Sequence, residues 1–254
     1  MPLVAHELYL MPQKFFVRAG DYVAVSINSG DSFPESEVAP RLSRLEELKV
    51  ISVKGDRVLT DLRVVGKAAM ADAAIDATGT LIVAVRTAPN LIELEPKQFE
   101  KYISAEGLVE FVRSRANPAR AGKSVRERYT KFAKALLVGG EADDFYRHPV
   151  GYTLEIVPEK DPYLARQGDN LPVQVWLRGK PAQNLQLEAT HLRPAPGASA
   201  EKKIIGRTRA DGRVIVPVAV AGKWRLHTIF MEPCTDPGTA QWESYWASLT
   251  FEVR

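Results

Sequence analysis

Gln241-Trp-Glu-Ser-Tyr-Trp-Ala-Ser-Leu-Thr-Phe-Glu-Val-Arg254 is the stretch that decides the fold. Tyr245, Ala247, Leu249, Phe251 and Val253 fall on one side of a two-residue repeat. Trp242, Ser244, Trp246, Ser248, Thr250 and Glu252 fall on the other. That is the period of a half-buried β-strand. The polar side nevertheless carries two tryptophans, which a solvent face does not need. The stretch therefore predicts a strand with a core on one face and a cover on the other. The cover is either a ligand or docking partner, or a first domain that wraps the face.

Working back from this strand, Trp224–Met231 divides in the same way. Trp224, Leu226 and Phe230 point to one side; Arg225, His227, Ile229 and Met231 point to the other. If the two strands pair, His227 and Met231 share the outer face with Trp242 and Trp246. Further strands are expected at Thr153–Val157, Leu171–Leu177, Leu185–Thr190, Lys203–Arg209 and Val214–Val218, separated by turn residues such as Ala210-Asp-Gly212. Seven short strands over residues 149–254 predict an immunoglobulin-like sandwich.

Residues 1–148 read as a second β-sandwich domain with a helical insertion at about 96–138. Strands are expected at Tyr22–Ile27, Leu45–Val53, Arg57–Val65 and Leu81–Thr87. Pro96 is a good first-turn residue and opens a helix in which Phe99, Tyr102 and Ile103 share a face. Leu108, Phe111 and Val112 mark a second helical set. A third helix is expected over about Ser124–Leu137, with Val125, Tyr129, Phe132, Ala133, Leu136 and Leu137 as its stripe and Gly139-Gly140 as its stop. The fold class is thus mainly β, as two sandwiches.

The chain has 254 residues, 45% hydrophobic and 26% charged, enough to bury a sizeable core. Its formal net charge of +3 is too small to point to nucleic acid. The single cysteine, Cys234, excludes an intrachain disulfide. No apolar run reaches the ~18 residues of a membrane span. The first residues lack a basic segment followed by an apolar one, so no signal peptide is visible. Ala5-His6 reads either as a cleavage junction or as part of an ordinary start.

Arg113–Lys134 is strongly basic. Arg120, Lys123, Arg126, Arg128, Lys131 and Lys134 make either a patch for an anionic partner, such as lipid headgroups or a phosphorylated ligand, or the solvated face of a surface helix. No aromatics interleave with these positions as single-strand binding requires. None of His6, His148, His191 and His227 forms a close metal-ligand pair along the sequence. If processing follows Ala5, His6 offers an α-amine and a ring nitrogen to one metal, and His227 is the candidate second histidine of a copper-type site. The alternative for His227 is a hydrogen-bonded histidine at the domain interface. No nucleophile elbow, zinc-protease helix, phosphate loop or dinucleotide fingerprint is present, so the expectation is a non-enzymatic protein. Glu35/Glu37 and Asp143/Asp144 are paired acids in loops, which read as solvated.

Several segments together carry a family resemblance. They are Ala5-His-Glu-Leu-Tyr-Leu10, Gly30-Asp-Ser-Phe-Pro34, Arg126-Glu-Arg-Tyr-Thr-Lys-Phe-Ala-Lys-Ala-Leu136, Asp161-Pro-Tyr163, Gly222-Lys-Trp224 and Trp242-Glu-Ser-Tyr-Trp-Ala-Ser-Leu-Thr-Phe251. In order and spacing the chain resembles the NikM-like family, described as periplasmic components of nickel/cobalt transport systems or as a domain of unknown function. The resemblance implies an exported, periplasmic protein with the Ala5-His6 junction at or near the signal cleavage site. It also implies a nickel or cobalt ion, with nickel held by a histidine near the mature N-terminus, here His6, and a membrane transporter component as partner. The second half is similar to carboxypeptidase-regulatory-type modules, which bind or brace. The rival expectation is an envelope module that docks on a membrane partner through Trp242, Trp246 and Met231, without metal.

Overall fold

In a computed structural model, which describes residues 6–115, 122–141 and 143–254, the chain is mainly β, with several sheets. The strands are numbered β1–β18 and the α-helices α1 and α2, in chain order. One sheet runs β1 (Leu8–Pro12), β3 (Tyr22–Ser29), β7 (Ala68–Ala74), β6 (Arg63–Val65). A second is built on β12 (Asn170–Leu177), which pairs with β11 (Leu154–Pro158), β13 (Lys180–Pro181) and β16 (Arg213–Pro217).

The largest sheet joins both halves of the chain. Its order is β15 (Glu201–Arg207), β14 (Gln186–Leu192), β17 (Gly222–Pro233), β18 (Trp242–Val253), β10 (Val125–Gly139), β8 (Gly79–Thr87), β4 (Leu45–Ser52), β5 (Gly55–Val58). The short strands β2 (Phe16–Val17) and β9 (Asn90–Leu94) also pair with β10. The strand β18 lies at the centre, between β17 and β10. β18 runs antiparallel to β17 from Gly222↔Val253 to Pro233↔Trp242, and parallel to β10 from Glu127↔Trp242 to Ala135↔Thr250. The expected division at residue 148 therefore does not separate two sheets: a first-half strand and a second-half strand are hydrogen-bonded neighbours.

Both faces of this sheet are covered. On one, Phe132, Leu136, Leu249, Phe251, Trp224 and Leu226 pack with Leu154, Ile156, Val173, Val175 and Val216 of the β11–β12–β16 sheet. On the other, Ala133, Ala135, Leu137, Leu81 and Val83 pack with Val23, Val25, Ile27, Ala69, Ala71 and Ala73 of the β3–β7 sheet. Alternate residues of β10 thus serve two different cores.

That placement corrects the expected third helix. Residues 125–139 form a strand, and every residue from Tyr129 to Gly139 is buried. A strand buried on both faces reads as a nearly continuous apolar run. Here Lys131 and Lys134 interrupt the run and left an apparent three-four stripe. The first two helices are present as expected. α1 (Pro96–Ala105) buries Phe99, Tyr102 and Ile103, and its start is closed by a reciprocal capping box between Glu95 and Gln98. α2 (Val109–Arg113) follows after a short turn.

Candidate functional site

The outer face of β17 and β18 is covered by α1 and α2. Phe99, Tyr102, Ile103 and Val112 form one apolar cluster with Tyr129, Ile229, Met231, Trp242 and Trp246. Tyr102 stacks on Trp246 with centroids 5.7 Å apart and planes 6° from parallel. Trp242, Trp246 and Met231 are 6%, 3% and 1% exposed. The expected partner or ligand face is thus occupied by the chain's own helices and is not open to another molecule.

Beside the aromatic cluster lies a set of buried charges. Glu7, just before β1, is adjacent to Arg225 (Oε2–Nε 3.1 Å), His227 (Oε2–Nδ1 3.8 Å) and Lys202 (Oε1–Nζ 3.6 Å). His227 Nε2 meets Glu106, the residue that ends α1, at 3.2 Å. Lys202 also pairs with Glu188 at 2.5 Å. Burial by itself pushes the His227 imidazolium down, but the Glu7 carboxylate and the Glu106 contact outweigh it and hold its pKa above the usual value. Burial likewise pushes Glu7 up, and His227, Arg225 and Lys202 together bring it below the ordinary range. The arrangement ties β1, α1, β14, β15 and β17 together through charge. Both ring nitrogens of His227 face carboxylates, which gives the interface reading of this residue its physical content.

A third group lies under the helices. Glu127 is fully buried and accepts hydrogen bonds from Tyr102 Oη (3.0 Å) and Ser244 Oγ. Trp246 Nε1 donates to the same serine oxygen (3.0 Å). Burial raises the Glu127 pKa to about 7 despite these donors. Lys131 sits over the rings of Tyr129 and Trp246, 5.0 and 5.1 Å from their centroids, and donates to the His6 carbonyl. Burial, with Arg44 nearby, lowers its pKa to about 8.

Because the folded pKa of Glu127 is raised, the folded state holds its proton more tightly than the unfolded chain does. Its contribution is complete below the ordinary glutamate value of 4.5 and is lost as pH rises through about 7. Unfolding free energy measured by urea titration is expected to fall across that window. Glu127→Gln, which keeps an acceptor for Tyr102 and Ser244, should flatten the part of the fall that Glu127 contributes. An unchanged slope in the variant would exclude Glu127 as its origin.

The six basic residues do not form one surface patch. Arg120 lies outside the described residues, and Lys123 is exposed in the turn before β10. Arg126 donates to the Gly238 carbonyl at 3.0 Å. Arg128 makes a two-pronged bond to Glu243 at 3.0 and 2.7 Å. Lys131 and Lys134 are 7% and 3% exposed, and Lys134 pairs with buried Glu155 at 2.8 Å. For Arg126, Arg128, Lys131 and Lys134 the expected anionic-partner surface is not formed, because they lie on an internal strand and bond within the fold.

His6 and His227 are not brought together as ligands. The His6 ring faces Asp31 and Glu37, with Nδ1 3.8 and 3.6 Å from their oxygens, while His227 faces Glu7 and Glu106. Among the described residues, no group of three or more histidine, cysteine, aspartate or glutamate side chains forms a ready metal site. The sequence reading missed Glu7, Glu106, Glu188 and Lys202. The available signal was Arg225 beside His227 on a strand face that otherwise carries Ile229 and Met231, since a buried arginine requires a buried acid. Cys234 is buried, after β17.

Residues 3–232 match the model of the family described as "Domain of unknown function (DUF4198)". No curated protein matches the chain. Among solved structures, the D0-D1 domain of intimin is 12% identical, with 95% of this chain and 96% of that one covered and a TM-score of 0.23. The native conformation of E. coli alpha-2-macroglobulin is 12% identical, with 99% of this chain but 16% of that one covered and a TM-score of 0.25. The Yersinia pseudotuberculosis adhesin InvE is 12% identical, with 96% and 58% covered and a TM-score of 0.21. No helix of the described residues is long and apolar enough to cross a membrane.

Proposed function

The chain belongs to that DUF4198 family, and from this premise we propose that it is an exported, non-enzymatic binding protein of the periplasm that takes a transition-metal ion at His6. In this reading the architecture is two sandwiches on a shared sheet, the second immunoglobulin-like, and a membrane transporter component receives the ion. The observation that carries it is the state of the His6 ring. Its Nδ1 is shielded from solvent yet has no hydrogen-bond partner, and the oxygens of Glu37 and Asp31 stand beside it. Glu37 is held in place: its Oε1 accepts from Asp31 N–H (3.1 Å), Ser32 N–H (2.9 Å) and Ser32 Oγ (2.6 Å), which leaves Oε2 toward the ring.

An imidazole nitrogen with carboxylate oxygens suits nickel, cobalt or copper. The separations of 3.6 and 3.8 Å exceed the roughly 3.0–3.4 Å that bonds of about 2.0–2.1 Å set between neighbouring ligands, so the carboxylates must draw in on binding. His227 takes no part.

Calorimetric titration of the mature chain with Ni²⁺, Co²⁺ and Cu²⁺ is the test. One ion per chain is expected, with binding lost in His6→Ala and weakened roughly tenfold or more in Glu37→Gln. Heat that is absent from the wild type, or unchanged in His6→Ala, would sink the proposal.

A further inference from the structure

Between the two halves, the segment after β10 and the loop joining β11 to β12 border an open cleft of about 800 Å³. That is the size of a small-molecule pocket. Four aspartates, Asp143, Asp144, Asp161 and Asp169, and one cation, Lys160, lie on its wall. Two of the acids are fixed by backbone. Asp143 accepts from Thr80 N–H (3.1 Å) and Phe145 N–H (3.0 Å), and Asp169 accepts from Arg166 N–H (2.8 Å).

Asp161 differs from its neighbours. It is 7% exposed, its Oδ1 takes Tyr163 N–H at 2.8 Å, and its Oδ2 has no partner. Leaving a buried carboxylate oxygen unmatched costs stability. Burial, reinforced by Asp143 and Asp144 and opposed by the Tyr163 N–H, holds this carboxyl above the ordinary range. A positive group in the cleft reverses each of these costs. Tyr146 and Leu164, the latter 69% exposed, provide apolar wall for the body of such a ligand.

We propose that this cleft is a binding site for a small organic cation, an N–H-bearing guanidinium or ammonium group that donates to Asp161 and is surrounded by Asp143, Asp144 and Asp169. A bare metal ion fits less well. The acids are spread around a cavity many times the volume of an ion, and among the described residues none cluster as metal ligands. The site is separate from His6 and stands or falls independently of it.

Agmatine and putrescine are suitable probes: both are dications, and they differ in the guanidinium. In calorimetry on the full chain, saturable one-to-one binding is expected that weakens with salt. Stronger binding of agmatine would assign the guanidinium, and equal binding the ammonium. Asp161→Asn should reduce affinity at least tenfold while the free variant melts at or above the wild-type temperature. Asp144→Asn, at an exposed position, should reduce it several-fold with no change in melting. Absence of saturable binding for both probes overturns the proposal. So does binding that is unchanged in Asp161→Asn, or displacement of the bound probe by Ca²⁺ alone at low millimolar concentration.

Discussion

Trp246→Ala is expected to destabilise the protein by about 3–5 kcal/mol, the range for removing a large buried aromatic side chain. The ring does more than fill space. It stacks on Tyr102 of α1, donates to Ser244, and lies under the Lys131 ammonium. Its loss leaves a cavity, removes the main apolar contact between α1 and β18, and strips Lys131 of one of its two ring partners. Urea unfolding gives the magnitude. Hydrogen exchange should show the amides of α1 and α2 losing protection before those of β17 and β18, because the helices reach the sheet mainly through this cluster. A loss below 1 kcal/mol, with helix protection intact, would mean that the face is not what holds the helices.

Lys134→Met should be comparably costly, about 3–5 kcal/mol, for a different reason. Lys134 and Glu155 form a buried ion pair between β10 and β11, and the carboxylate also accepts from Val150 N–H (3.0 Å) and Gly151 N–H (3.1 Å). Removing the ammonium leaves a buried negative charge with only two backbone donors. Adding Glu155→Gln removes that charge, so the double variant should recover part of the loss, with a coupling of about 1–3 kcal/mol. Strictly additive losses in a urea-denaturation cycle would show that the two side chains act separately.

These two expectations mark the boundary of what could be read from residues. The two-faced character of residues 242–253, the partition of β17 into a Trp224 face and a His227 face, and the helices at Pro96 and Leu108 were all legible. Each is a local pattern with a strong period. The strand β10 was not legible, because its lysines find partners far away in sequence: the Glu155 carboxylate for Lys134, and the His6 carbonyl for Lys131. Polar residues neutralised across a fold carry no local sign of being inside. The same applies at the sites. His6 was visible, but its neighbours Asp31 and Glu37 lie in a loop that returns to it. Asp143 and Asp144 looked like an ordinary solvated pair, and nothing in the sequence placed Asp161 beside them.

The pairing of β10 with β18 also constrains how the chain is made. Arg128 and its bonded partner Glu243 are separated by 115 residues, so β10 is synthesised long before its parallel neighbour exists. Until then one margin of β10 has bare amides and carbonyls, with buried-type side chains on both faces, a state open to wrong strand pairing. Non-local parallel pairing is also slow to form. Completion of the largest sheet therefore waits for the second half of the chain, and a nascent chain that stalls before β18 keeps this margin of β10 unpaired.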